Sequence, residues 1–400
     1  MALPRAPEFD STRAFFREGY DFVGNRCRAL GTDAFRTRMM LRPAIFIAGE
    51  EAARHFYDGK SFTRAGAMPP TTLRLLQDKK SVQSLDGAAH AARKALFLDM
   101  MAPESIAAMG EAVDRHWQAM LPGWRAAGEV GFHDAFGELL TAAACDWAGL
   151  SLTAGERGAR ARELMAMIDG AGSAGPRTWR ALLLRRRTEK WARMRLDALC
   201  GADATSPAGR IANAGLDRVT SGVELLNLLR PTVAVARFAT FAALALHEHR
   251  EAADWLRADP ANRIEAFVQE VRRFYPFFPV IGGRVRDAFE WREHRFAPGS
   301  WVLLGLHATN HDSRIWGDPE RFRPERFVGR RSSGFDLIPQ GAGDYRTDHR
   351  CPGEWMTLEI LRRTVTLLLA TPHRLPEQDL RIPRDRFPTL PRSGLRLRFD

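Results

Sequence analysis

The chain has 400 residues, 45% of them hydrophobic, which is enough to build a sizeable buried core. Its formal net charge of +11 rests on arginine, because lysine occurs only at Lys60, Lys79, Lys80, Lys94 and Lys190. Acidic residues are interspersed throughout with no basic tail or aromatic-basic ladder, which argues against a nucleic-acid binder.

Taken in chain order, the first segment, "MALPRAPEFDSTRAFF", holds no apolar signal core. A strand is expected at 44–47. Apolar residues at helical spacing then predict helices over 88–101, 106–126, 132–150, 154–168 and 177–199. Within the last of these, Arg185-Arg186-Arg187 reads as a solvated helix face. The weakest join is 201–214, after which helices are expected over 223–248 and 263–274. Short strands follow at 282–285, 294–296 and 301–306, close to glycine and proline turns. A final helix is expected over 354–370, and 383–400 reads as extended, hairpin-like chain. No stretch reaches 18 uninterrupted apolar residues, so no membrane span is expected. Cys27, Cys145, Cys200 and Cys351 form no CxxC pair and no zinc spacing, which fits a reducing compartment. The expectation is a soluble, cytoplasmic protein, mainly α with a small β portion, in a single domain over 1–400.

One helix poses a chemical question. "LLNLLRPTVAVARFATFAALALHEH" (225–249) suits a buried helix, yet Arg230 and Pro231 stand together in it. An interior proline removes a backbone hydrogen bond and costs about 3 kcal/mol. A buried guanidinium needs a partner, because an unpaired buried charge is more expensive still. Together they mark a candidate site. Arg237, seven residues on, returns to nearly the same face; its bland reading is a snorkelling or propionate-pairing residue.

Three further pieces come later in the chain. In "AFVQEVRRFYPFFP", Glu270 and Arg273 are three apart and share a helix face. "DPERFRPERF" (318–327) is rich in proline and arginine. "FDLIPQGAGDYRTDHRCPGEW" places a glycine-rich loop before Cys351 and a helix directly after it. A helix N-terminus favours a thiolate, and glycines at 341, 343 and 353 let the backbone approach something flat or bulky.

This order of pieces, from about Phe56 onward, resembles the cytochrome P-450 family of haem-thiolate enzymes. The resemblance implies that Cys351 is the axial ligand of haem b, a ligand that pushes electron density toward iron. It further implies a structural ion-pair network of Glu270 and Arg273 with Arg326 or its neighbours. Two departures refine it. The usual Phe-x-x-Gly-x-Arg-x-Cys-x-Gly loop is lengthened here, with His349 two before the cysteine. The usual acid–threonine pair of the central helix is replaced by Arg230-Pro231. Both departures are similar to the fatty-acid peroxygenase branch, which hydroxylates fatty acids near the carboxyl group with H2O2.

The implied activity is H2O2-dependent hydroxylation of long-chain fatty acids, at C2 (alpha) in preference to C3, with no redox partner. Arg230 would hold the substrate carboxylate, which would act as acid and base in place of the missing relay. Pro231 and Gln83 would complete the catalytic set. His90, Arg64, Arg284 and Gly343 would contact the cofactor, while Phe277, Phe278 and Val280 would line the alkyl channel. The competing readings are a conventional monooxygenase fed by a reductase and a non-enzymatic haem sensor.

Overall fold

The computed structural model describes residues 3–173, 175–202 and 204–400. The expected helices form, with ends moved by a few residues: Gly87–Asp99, Pro103–Ala127, Phe132–Trp147, Ala154–Gly170, Pro176–Leu199, Pro260–Phe274 and Glu354–Ala370. Their apolar faces meet in one large cluster that includes Trp117, Phe136, Leu229, Phe241 and Leu361, each with essentially no exposed surface.

The helix expected over 223–248 is two helices, Arg218–Ala234 and Ala236–Glu248, joined at Val235. Asp217 starts it by accepting from the amides of Val219 and Thr220. Pro231 cannot donate to the carbonyl four residues back, and the amide of Val235 donates to Thr232, only three back. The α-helical ladder is thus interrupted at Val235, four residues after the proline. This stretch is the one described helix long and apolar enough to cross a membrane, and 94% of its most apolar window is buried inside the protein.

The β portion is small. A five-stranded sheet runs in the order Ala34–Met39, Arg42–Ile47, Trp301–Gly305, Val280–Val285, Phe62–Thr63. Only the pair Arg42–Ile47 with Trp301–Gly305 is parallel. The hairpin formed by the first two strands turns at Met40 and Leu41, both in the left-handed region (φ 52° and 61°). No glycine or asparagine announces that turn, so only its second strand was legible from the sequence.

Three expectations are corrected. The chain over 383–400 is not a hairpin: only Arg396–Phe399 is a strand, pairing with Val130–Gly131 and His373–Arg374. Pro383, Pro388 and Pro391 remove the donors a ladder would need. The strand expected to reach 306 ends at Gly305, and a short helix, Leu306–Asn310, begins there. The triple arginine is not one solvated face, because Arg185 is fully buried while Arg186 and Arg187 are exposed. Arg185 donates to Glu189 at 2.7 Å, to the carbonyl of Gln77 at 2.9 Å and to that of Arg74. These bonds fasten Pro176–Leu199 to the end of Pro70–Leu76.

Glu270 and Arg273 are also fully buried. Arg273 grips Glu270 through two bonds of 2.7 and 2.8 Å and reaches the carbonyls of Asn310 and Pro319. Arg326 approaches Glu270 at 3.4 Å, so the network forms as expected.

Candidate active site

The two helices about Val235, the loop before Cys351 and the segment 82–84 enclose a cavity of about 310 Å³. Cys351, Arg230, Pro231, Gln83, His90, Arg64, Phe277, Phe278 and Val280 all line it. Two expected cofactor contacts do not. Arg284 lies outside, donating to the carbonyls of Gly66 and Gly299 with its guanidinium over Trp301. It shares a strand face with Val280 and Gly282, which do line the cavity, but lies two residues beyond the wall, whereas Arg64 lines it. Gly343 also stays out of the wall. Its φ of 91° serves a turn so tight that a Cβ would lie 2.3 Å from Asp348. Gly341 lines the cavity instead, with φ 92° and the Tyr57 hydroxyl 2.9 Å from where a Cβ would be.

Cys351 is held on three sides. Its amide donates to Gln340 at 3.1 Å, Gln340 Nε2 lies 3.8 Å from Sγ, and the amide of Gly353 donates to the sulfur. Burial nevertheless pushes the thiol above its ordinary value, outweighing the helix-start amide that was expected to lower it. A cation bound at Sγ would reverse that balance.

Arg230 is held on one side only. Nη2 donates to Asn227 Oδ1 at 2.9 Å and to the carbonyl of Leu76, while Nη1 is buried without a partner. No carboxylate forms an ion pair with it among the described residues. Burial first, and then the neighbouring charge of Arg185, push the guanidinium down to about 9. An anion in the cavity would satisfy Nη1 and relieve that cost. Arg237, the rival, is buried away from the cavity. It pairs with Asp169 and lies 3.3 Å from His133, so it neither snorkels nor faces the site.

The cavity has a cationic end that the sequence only partly revealed. Arg64 stacks over Phe56 and Tyr57 and donates to the carbonyl of Gly282 at 3.0 Å. His90 and His349 stack with centroids 3.9 Å apart. Burial lowers both imidazoles, His349 to about 2. Lys94 is almost fully buried and donates to the carbonyls of Asp348 and Arg350, and burial brings it down to about 8. Lys94 and Tyr57 went unnoticed in the sequence. The available signal was a lysine at a core-facing position, four residues after His90, in a chain with few lysines. Beyond the two phenylalanines, Phe238 stacks on Phe277 at 4.8 Å, closing the apolar side.

No aspartate or glutamate is among the residues lining the cavity. Thr232 lines it, but its hydroxyl donates to the carbonyl of Leu228 at 2.9 Å. The site therefore offers neither an acid nor a free alcohol from the central helix.

The model of the family Cytochrome P-450 matches residues 263–376. Structural similarity extends over nearly the whole chain. Cytochrome P450EX alpha (CYP152N1), solved with myristic acid, is 36% identical and superposes with a TM-score of 0.94, covering 100% of this chain and 98% of its own. The chain belongs to the cytochrome P-450 family. Cytochrome P450SP alpha (CYP152B1), solved with (R)-ibuprofen, is 40% identical with a TM-score of 0.94, covering 97% of this chain and 98% of that one. Curated relatives match more locally. Cytochrome P-450 4e5 of Drosophila mettleri is 28% identical over 122 residues, 30% of this chain but only 23% of its own length.

The cytochrome P-450 cofactor is haem b on a cysteine thiolate, and the residues here fit it. One half-buried cysteine, Cys351, faces the cavity beside a backbone with no Cβ at Gly341. A cluster of Arg64, Lys94, His90 and the Tyr57 hydroxyl, which has no partner, stands ready for acidic groups.

Proposed function

We propose that this protein is a haem-thiolate peroxygenase that hydroxylates long-chain fatty acids near the carboxyl group, at C2, using hydrogen peroxide and no redox partner. The carrying observation is a cavity with a half-satisfied buried arginine and no acid of its own. A proton carrier is needed beside the reacting peroxide, and the substrate's own carboxylate is the candidate that the site invites.

Haem b, when bound, supplies the metal at which hydrogen peroxide is cleaved and oxygen is transferred. Cys351 would hold it through Sγ, with Gln340 and the Gly353 amide orienting the sulfur. Arg64, His90 and Lys94, which line the cavity, would hold its propionates. Arg230 Nη1 binds the fatty-acid carboxylate by a charge-assisted bond. That carboxylate would stand where it can accept a proton from hydrogen peroxide and give it to the oxygen that leaves as water. Gln83, whose Oε1 is buried without a partner, accepts a hydrogen bond within the same space. Pro231 contributes no hydroxyl, which leaves the position to the substrate. Phe277, Phe278 and Val280 guide the alkyl chain, and the fixed head group presents the adjacent methylene first. The 400 residues act as one haem-binding unit, and the four free cysteines suit a cytoplasmic setting.

The test mixes holoenzyme, myristate and hydrogen peroxide without any reductase, with products identified by mass spectrometry. 2-Hydroxymyristate is expected. Oxidation only when a reductase and NADPH are supplied would overturn the reading in favour of a conventional monooxygenase. In the reduced CO complex, Cys351→Ser should abolish the thiolate-haem absorption band.

A further inference from the structure

Glu224 lies on the same helix as Arg230, six residues earlier, and its carboxylate is completely buried. It is outside the cavity wall, yet it is joined to both of the polar groups that the reaction uses. On one side, Oε2 accepts from Asn227 Nδ2 at 2.9 Å, and Asn227 Oδ1 accepts from Arg230 Nη2 at 2.9 Å. Residues 224, 227 and 230 recur at threes, so the three side chains form a ladder along one helix face. On the other side, Oε1 accepts from the amide of Val82 at 3.1 Å, the residue directly before Gln83. Arg93, on the helix Gly87–Asp99, donates to the same oxygen.

The ladder has a direction. An amide between a carboxylate and a guanidinium can present NH2 only to the first and oxygen only to the second; the flipped amide would oppose both. Glu224 therefore dictates how Asn227 sits, and Asn227 dictates which edge of Arg230 is left for the cavity. Burial raises the Glu224 pKa against the pull of Asn227, Arg93 and the Val82 amide, but all its partners are donors, so they hold the carboxylate form. Arg93 balances its charge, which leaves Arg230 free to attract an anion.

We infer that Glu224 is a positioning residue that sets the guanidinium of Arg230 and the Val82–Gln83 backbone in one frame, so that the substrate carboxylate and the peroxide-side amide are aligned with each other. This rests on the carboxylate-anchoring role proposed for Arg230.

The prediction separates alignment from affinity. In the holoenzyme, Glu224→Gln should lower kcat for myristate about tenfold or more, while the Kd for myristate, read by calorimetry, changes by less than about threefold. The ratio of C2 to C3 products should shift, because a tilted head group presents a different methylene. Glu224→Asp, which keeps the charge, should recover part of the rate and of the ratio. Asn227→Ala cuts the ladder without removing the carboxylate and should reproduce the effect. The double variant should be no worse than the poorer single one. A Glu224→Gln holoenzyme with unchanged kcat and product ratio would overturn the inference. So would an Asn227→Ala enzyme with an unchanged product ratio if Glu224→Gln fails to fold. Wild-type levels of turnover in Arg230→Ala would instead overturn the anchoring role, and the inference with it.

Discussion

Two buried arginines in this protein are held in opposite ways. Arg273 uses both edges of its guanidinium, on Glu270 and on two backbone carbonyls, and lies in packed core. Arg230 uses one nitrogen and leaves another without a partner against a cavity. Both side chains are desolvated, and only the first is repaid within the protein. A guanidinium whose bonds close internally is part of the architecture, while one whose bonds stay open is waiting for an anion.

That contrast can be broken by exchanging their phenotypes. Arg273→Ala strips Glu270 of its bidentate partner, leaving only Arg326 at 3.4 Å and the Arg323 amide, and should cost about 3 kcal/mol of stability, measured by denaturant unfolding, with loss of haem retention. Arg230→Ala should do the reverse: myristate turnover falls by about a hundredfold or more, while haem content and unfolding midpoint stay near wild type. If Arg230→Ala unfolds the protein and Arg273→Ala merely slows it, the distinction fails. Arg230→Lys sharpens the point. It keeps the charge but loses the planar fork, so about a tenfold loss in kcat/KM is expected, measured by peroxide-driven product formation.

The smallest expected effect concerns groups kept neutral. Burial holds His133 and His307 well below the ordinary histidine value of 6.5, with Arg237 disfavouring the proton on the first. Above pH 6.5 neither the folded nor the unfolded chain binds these protons, so stability is full. As pH falls below 6.5, the unfolded chain takes protons that the folded one refuses, and stability is lost. Tm should drop by roughly 5 °C between pH 7 and pH 5, and His307→Gln should flatten that slope.

Much of this was visible in the sequence because the long helices carry an unbroken apolar period and the site residues have unusual neighbours. Arg230-Pro231 was legible because both residues offend a buried helix. Cys351 was legible through its place in the order of motifs. Arg185 was not, because a run of three arginines looks alike whichever of them turns inward, and only the carbonyls at 74 and 77 reveal it. Arg284 and Arg64 were exchangeable on paper, since what decides which one meets the cavity is where each guanidinium packs, over Trp301 for the first and over Phe56 and Tyr57 for the second. The ladder from Glu224 was hidden for a different reason: spacing at threes is common, and its meaning depends on the Val82 and Arg93 contacts supplied by distant chain.

The lengthened loop before Cys351 closes on itself. Asp344 accepts from the amides of Arg346 and Thr347, and its own amide donates to Asp348 at 2.7 Å. The added residues thus make a knuckle, anchored at its base by Lys94 to the carbonyl of Asp348 and at its tip by the Tyr345 hydroxyl, which donates to the carbonyl of Pro352. A displacement at Tyr345 is therefore transmitted to Pro352, the residue directly after the cysteine. For an engineer, that knuckle is a remote handle on the sulfur: a change at its tip is felt at Cys351 instead of being absorbed by the loop.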